Sequence, residues 1–122
     1  MEKRKVLICE DEPHIFESIL YVVNKAGYLS SLVEEGDRVL EEACLKRPDL
    51  IILDVGLPGM NGFDVCKQLR DEETLSHVHI IILTAFGQAS DEVRAYEVGA
   101  NQFLTKPFSP GILGRMIKSV LD

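Results

Sequence analysis

The sequence predicts an α/β fold in which a doubly wound, five-stranded parallel sheet of order 2-1-3-4-5 is covered by five helices. Three observations carry that prediction. Short apolar runs alternate with amphipathic segments five times along 122 residues, the pattern of a parallel sheet with helices on both faces. The runs at 5–9, 50–54 and 79–84 are nearly unbroken, as strands covered on both faces must be. The other two are weaker: 28–33 contains Ser30 and Ser31, and 102–105 is short, so both suit sheet edges.

The elements follow in order. "KVLIC" (5–9) is the first strand. Ile15, Phe16, Ile19, Leu20, Val22 and Val23 then recur at the helical period, with Pro13 suited to the first turn and Gly27 to the C-terminal end. "YLSSLV" (28–33) is the second strand, and the second helix spans roughly 36–46. "LIILD" (50–54) is followed by a turn through Gly56, Pro58 and Gly59 and a helix at 61–72. "HIIILT" (79–84) precedes a helix at 88–98 that Gly99 terminates. "QFLT" (102–105) leads to a last helix at 109–121, whose stripe is Ile112, Leu113, Met116, Ile117, Val120 and Leu121. No repeat, linker or low-complexity segment interrupts this order, so residues 1–122 read as one domain.

Composition narrows the function. Hydrophobic residues make up 46% and charged residues 27%, as in an ordinary soluble domain. No apolar run approaches the ~20 residues of a bilayer span, and "MEKRKVLIC" lacks a signal-peptide core; no membrane partner and a cytoplasmic location are expected. Cys9, Cys44 and Cys66 are odd in number and show no CxxC spacing, so they read as reduced core thiols. A net charge of −7 argues against direct nucleic-acid binding by this domain and would suit a cation site. His14, His77 and His79 read as surface or boundary residues with no role.

The strand order fixes where ligands should bind: at the carboxyl ends of strands one and three, the topological switch point. Strand one is followed by Glu10, Asp11 and Glu12, and strand three ends on Asp54. Like charges so placed destabilise each other unless a proton or cation lies among them. An Asp at a strand end more often caps a turn, but oxygen donors from two adjacent strands suit a hard cation such as Mg²⁺, and no Cys or His spacing supports zinc. Strand four ends on Thr84 followed by Ala85, and strand five is followed by Lys106 and Pro107. Alone, these would be a turn residue and a solvated charge. Beside a metal-bound carboxylate they are the donors and countercharge a phosphoryl group needs.

"CEDE" after strand one, "LDVGLPGMNG" around Asp54, "LTA" at 83–85 and "FLTKPF" at 103–108, in this order, resemble the receiver domain of a two-component response regulator, with its flavodoxin-like fold. The resemblance covers essentially the full length. It implies that Asp54 accepts a phosphoryl group from a histidine kinase, in a phospho-acceptor that assists its own phosphorylation and dephosphorylation without being an enzyme in the ordinary sense. It also implies that Asp11 and Asp54 bind Mg²⁺ directly, with the Gly56 carbonyl as a third ligand and Glu10 acting through water. Thr84 would close onto the phosphoryl oxygens, Lys106 would pair with them, the Ala85 amide would help, and Phe103 would be the aromatic switch. A cis bond at Lys106–Pro107 is common in the family.

Two positions depart from the family pattern where attacking water would pass: Gly56 often carries a larger side chain there, and residue 86 is Phe. "GANQFLTKPF" also replaces the acidic "GADDYLTKPF" form with Asn101 and Gln102. These cannot supply the ion pairs through which many DNA-binding members dimerise on helix four, strand five and helix five. Arg115 and Lys118 of helix five thereby lose acidic partners, and the isolated domain is expected to be monomeric. Its output is expected to be either an attached effector domain or a separate protein.

Other readings fare worse. A haloacid-dehalogenase-like phosphatase wants a second Asp two residues after the nucleophile, where this chain has Gly56. A dinucleotide or flavin site wants GxGxxG, and a P-loop is absent. A degenerate receiver serving only for interaction should have lost the acidic cluster, the Thr or the Lys.

Overall fold

In a computed structural model that describes residues 3–85 and 89–122, the five strands are β1 (Lys5–Cys9), β2 (Leu29–Val33), β3 (Leu50–Asp54), β4 (His79–Thr84) and β5 (Gln102–Thr105). They form one parallel sheet in the order β2-β1-β3-β4-β5. The helices are α1 (Pro13–Lys25), α2 (Val39–Lys46), α3 (Gly62–Asp71), α4 (Ala89–Glu97) and α5 (Pro110–Leu121). Phe86, read above as flanking a water route, lies outside the described residues.

Strand alternation sorts the core into two layers. Leu7, Ile51, Leu53, Ile80 and Ile82 face the side covered by Ala43 of α2, Val65 and Leu69 of α3 and Ala95 of α4. Val6, Ile8, Leu50, Ile52, Ile81 and Leu83 face Ile19 and Val23 of α1 and Leu113 and Ile117 of α5. Fully burying one such side chain contributes roughly 1.5–3 kcal/mol. The unbroken apolar runs therefore hold the centre of the sheet rigid and fix where its strand ends point.

The helix boundaries depart from expectation where tertiary contacts intervene. The segment expected as one helix at 36–46 opens with a 3-10 turn, Gly36–Arg38, before α2. The Gly36 amide donates to the Pro58 carbonyl at 2.8 Å, and a Cβ at Gly36 would lie 2.0 Å from the Met60 carbonyl oxygen. Only glycine tolerates that approach of the loop after β3. A second 3-10 turn, Glu73–Leu75, follows α3 and was not foreseen. Gly27 (φ +88°) and Gly99 (φ +102°) follow α1 and α4 in the left-handed conformation that ends helices, as their positions predicted. The cysteine reading needs one correction: Cys9 and Cys66 are buried, but Cys44 faces outward from α2 and is not a core thiol.

Candidate functional site

The chain stays on the sheet one residue beyond β1, because the Glu10 amide donates to the Val33 carbonyl at 3.1 Å. This turns the Glu10 side chain inward, where it is 1% exposed. Its Oε2 accepts a hydrogen bond from the Glu12 amide at 3.1 Å. Glu12 in turn caps α1, its Oε2 accepting from the Ile15 amide at 2.9 Å. Asp11, between them, is exposed. Across the crevice Asp54 ends β3 opposite Leu83 and is 5% exposed. Oxygens of Glu10, Asp11 and Asp54 lie within 4.8 Å of one another, an all-oxygen donor set of the kind a hard divalent cation takes.

Lys106 completes the cluster from the other side. Its amide donates to the Thr84 carbonyl at 2.7 Å, which extends the β4–β5 pairing and aims the side chain back at the crevice. The ammonium lies 2.9 Å from Asp54 Oδ1 and 2.8 Å from Glu10 Oε1. The Asp54 contact is a hydrogen bond, whereas Glu10 Oε1 accepts none of good geometry and its contact with the ammonium is ionic. One cation thus bridges two buried carboxylates. Without it their repulsion in a dry site would be costly.

The charges shift accordingly. Burial raises the Glu10 pKa above the ordinary carboxylate range; the Lys106 contact opposes this, and the Asp54 charge adds to it. For Lys106, burial favours the neutral amine, but the two carboxylates against it, Glu10 and Asp54, outweigh it, and the net shift is upward. Cys9, beneath the cluster, is held strongly protonated, first by burial and then by the Asp54 and Glu10 charges, so it is no nucleophile.

The remaining predicted residues gather around the same strand ends. Thr84 is buried at the end of β4, and Ala85 follows it, exposed. Phe103 on β5 pairs with Ile82 and is half-buried against the core layer of α2, α3 and α4. Gly56 follows Asp54 so closely that a Cβ there would lie 3.6 Å from Asp54 Oδ2. The Lys106–Pro107 bond is cis.

The residues of "GANQ" do more than lack charge. Asn101 Oδ1 accepts from Arg70 Nη2 at 2.6 Å and from the Ile80 amide at 2.8 Å. Gln102 Oε1 is paired with His79 Nε2 at 2.8 Å, which gives that histidine a structural partner. Arg70 also donates to the carbonyls of Gly99 at 2.8 Å and Val78 at 2.6 Å. Sequence reasoning missed Arg70 because nothing local marks an arginine near the end of a helix as a bridge between distant loops.

Comparison with known proteins agrees with the geometry. The family model for the response regulator receiver domain matches residues 6–118. The alkaline phosphatase synthesis transcriptional regulatory protein PhoP of Bacillus subtilis is 37% identical over 97% of this chain and 48% of its own length. The phosphate regulon transcriptional regulatory protein PhoB of Escherichia coli is 37% identical over 97% of this chain and 52% of its own. The chain therefore spans about half the length of the curated relatives it matches. The crystal structure of the chemotaxis response regulator CheY4 of Vibrio cholerae superposes with a TM-score of 0.91, at 31% identity, covering 98% of this chain and 100% of that one. Acidic strand ends bridged by a lysine, on a sheet of this order, thus accompany a family match over nearly every residue: the chain belongs to the response regulator receiver domains of two-component systems.

Proposed function

We propose that Asp54 accepts a phosphoryl group from the phosphohistidine of a partner kinase, in a reaction that requires Mg²⁺, and that the charge so added switches the domain. The observation that carries this reading is the Lys106 ammonium, 2.9 Å from Asp54 Oδ1, facing a carboxylate cluster within 4.8 Å. An Asp54 carboxylate oxygen forms the new O–P bond as the N–P bond of the phosphohistidine breaks, and the departing imidazole takes a proton from solvent. Asp11, Asp54 and the Gly56 carbonyl would hold the ion, whose positive charge would offset that of the transferring group. Glu10 would act through water, with its Oε1 held 2.8 Å from the Lys106 ammonium.

The product carries roughly −1.5 to −2 charges, which the Lys106 ammonium, the Thr84 hydroxyl and the Ala85 amide answer at the ends of β4 and β5. Phe103, half-buried beside them, is the side chain whose packing would report the change. The phosphorylated conformer is populated to the extent that it makes these contacts better. The output is an attached effector domain or a separate protein, and the net charge of −7 supports a domain that does not itself hold nucleic acid. No helix among the described residues is long and apolar enough to cross a membrane, which is compatible with work in the cytoplasm.

Incubation with Mg²⁺ and acetyl phosphate tests the assignment. Mass spectrometry should detect one added phosphoryl group on the parent chain and none on Asp54→Asn or in chelator. Undiminished labelling of Asp54→Asn would place the reacting group elsewhere.

A further inference from the structure

β2 ends the sheet on one side and pairs only with β1, so its outer edge is open. Its bonds to β1 begin with the Leu29 amide donating to the Arg4 carbonyl at 2.9 Å and end with the Val33 carbonyl accepting from the Glu10 amide at 3.1 Å. Alternate residues of a parallel strand bond to a given neighbour. Leu29, Ser31 and Val33 therefore bond inward, and Ser30 and Leu32 turn both N–H and C=O outward. Open edges are usually blunted by a lysine, a proline or a bulge. "LSSLV" has neither residue, and its register with β1 runs unbroken. Leu29, on the α2 side, is 48% exposed, and Leu32, on the α1 side, is 38% exposed. Beside the edge on the α2 side lies a groove of about 350 Å³, lined by Leu29, Ser31, Leu45 and Pro48 and by the cations Lys5 and Lys46. No acidic residue lines it, whereas Glu34 and Glu35 follow the other end of the strand. Among the described residues, none of these four charges forms an ion pair.

We infer that the β2 edge takes up an extended segment of a partner protein as an added antiparallel strand. Its backbone bonds to Ser30 and Leu32, and its apolar side chains enter the groove against Leu45 and Pro48. A carboxylate at its carboxyl end lies by Lys5 and Lys46, and a cation at its amino end lies by Glu34 and Glu35. Main-chain bonds supply the affinity in such additions, and alternate side chains supply the specificity. Antiparallel pairing is the more stable per residue, and it sets the order of charges along the segment. From Leu29 to Val33 the edge runs roughly 13 Å, so about five residues span it. The groove favours a foreign segment over β2 of a second copy. In a twofold antiparallel pairing the residue at the centre on the α2 side would be Ser31, whose small hydroxyl leaves the space against Leu45 unfilled.

The probe is a synthetic peptide of about seven residues, alternating valine and threonine, with a lysine at its amino end and a glutamate at its carboxyl end. It is titrated into the labelled chain while backbone amide shifts and amide exchange are followed. Shifts should concentrate at 29–34 and 45–48, and the Ser30 and Leu32 amides should exchange more slowly. A peptide with the same side chains but N-methylated inner amides should not bind. Ser30→Pro removes an outward donor and no bond to β1, so it should weaken binding by about tenfold. Lys46→Glu should weaken it several-fold at low salt and less in high salt. Neither variant alters a residue of the Asp54 cluster, so both should accept phosphate from acetyl phosphate as the parent does, which shows that they fold. The inference is overturned if no shifts appear, if they map elsewhere, or if the N-methylated peptide binds like its parent. Undiminished binding by Ser30→Pro also overturns it. Shifts at 29–34 that grow with the concentration of the chain alone would give the edge to a second copy and overturn it likewise.

Discussion

Glu10 is held by opposing forces, and their balance sets a pH dependence. Burial and the Asp54 charge raise its pKa in the folded chain above the ordinary carboxylate range, while Lys106 pulls it back. Because the folded state then binds a proton that the unfolded state has released, stability falls as pH rises from the unfolded value through the raised folded one. In chelator, urea midpoints of the parent should therefore decline as pH rises above the unfolded carboxylate range, while Glu10→Gln, which keeps the acceptor for the Glu12 amide, should lose its share of that decline. An unchanged slope in Glu10→Gln would mean that the carboxyl titrates as if exposed. On the proposed reading, Gly56 bears on hydrolysis of the acyl phosphate at Asp54. A Cβ there would stand 3.6 Å from Asp54 Oδ2, so Gly56→Asn should shade the carboxylate from water and lengthen the phosphoryl lifetime several-fold. Decay of the labelled chain, followed by phosphate release, checks this.

Elements meet through Arg70, which joins the end of α3 to the start of β4 and the loop before β5. Arg70→Ala removes donors from the carbonyls of Gly99 and Val78 and from Asn101 Oδ1. Hydrogen bonds from charged donors are worth about 1.5–3 kcal/mol, and their loss is only partly made up by water, so the variant should lose about 2–3 kcal/mol in urea unfolding. Phosphorylation by acetyl phosphate should survive in the folded fraction, since Arg70 is bonded at the opposite ends of the strands from Asp54. The strand limits were legible because unbroken apolar runs can only be covered strands, and the doubly wound order then brings Glu10, Asp11, Asp54, Thr84 and Lys106 to one edge. What escaped the sequence depends on contacts between distant residues. The 3-10 turn at Gly36 answers the Met60 backbone, the burial of Glu10 rests on Val33, and the role of Asn101 rests on an arginine 31 residues away. Lys106 was legible as a countercharge for a phosphoryl group, but its second contact with Glu10 was not, since periodicity carries no side-chain reach.

At the scale of the whole molecule the question is what reads the switch. A symmetric face built on α4, β5 and α5 needs complementary charges that repeat across a twofold axis. Here the two positions after "GA" are amides, and both are already engaged: Asn101 with Arg70 and the Ile80 amide, Gln102 with His79. Arg115 and Lys118, the cations that would have paired with acids at those positions, line a hollow between α5 and α1. The side chains exposed on α4 and α5 include the apolar Val93, Tyr96 and Ile112, with Glu92, Arg94 and Glu97 beside them on α4. Surface ion pairs are individually worth only ~0–1 kcal/mol, so their absence costs little affinity. It does remove the acids after "GA" from the pattern that would select one symmetric arrangement over others, and the exposed apolar side chains fit a separate protein or a following domain better than a second copy. The isolated 122-residue chain should therefore sediment as a monomer at micromolar concentration, both as isolated and when activated with beryllofluoride. A tight dimer of the activated chain, abolished by Tyr96→Glu, would show that apolar contact alone suffices and would assign this face to self-association.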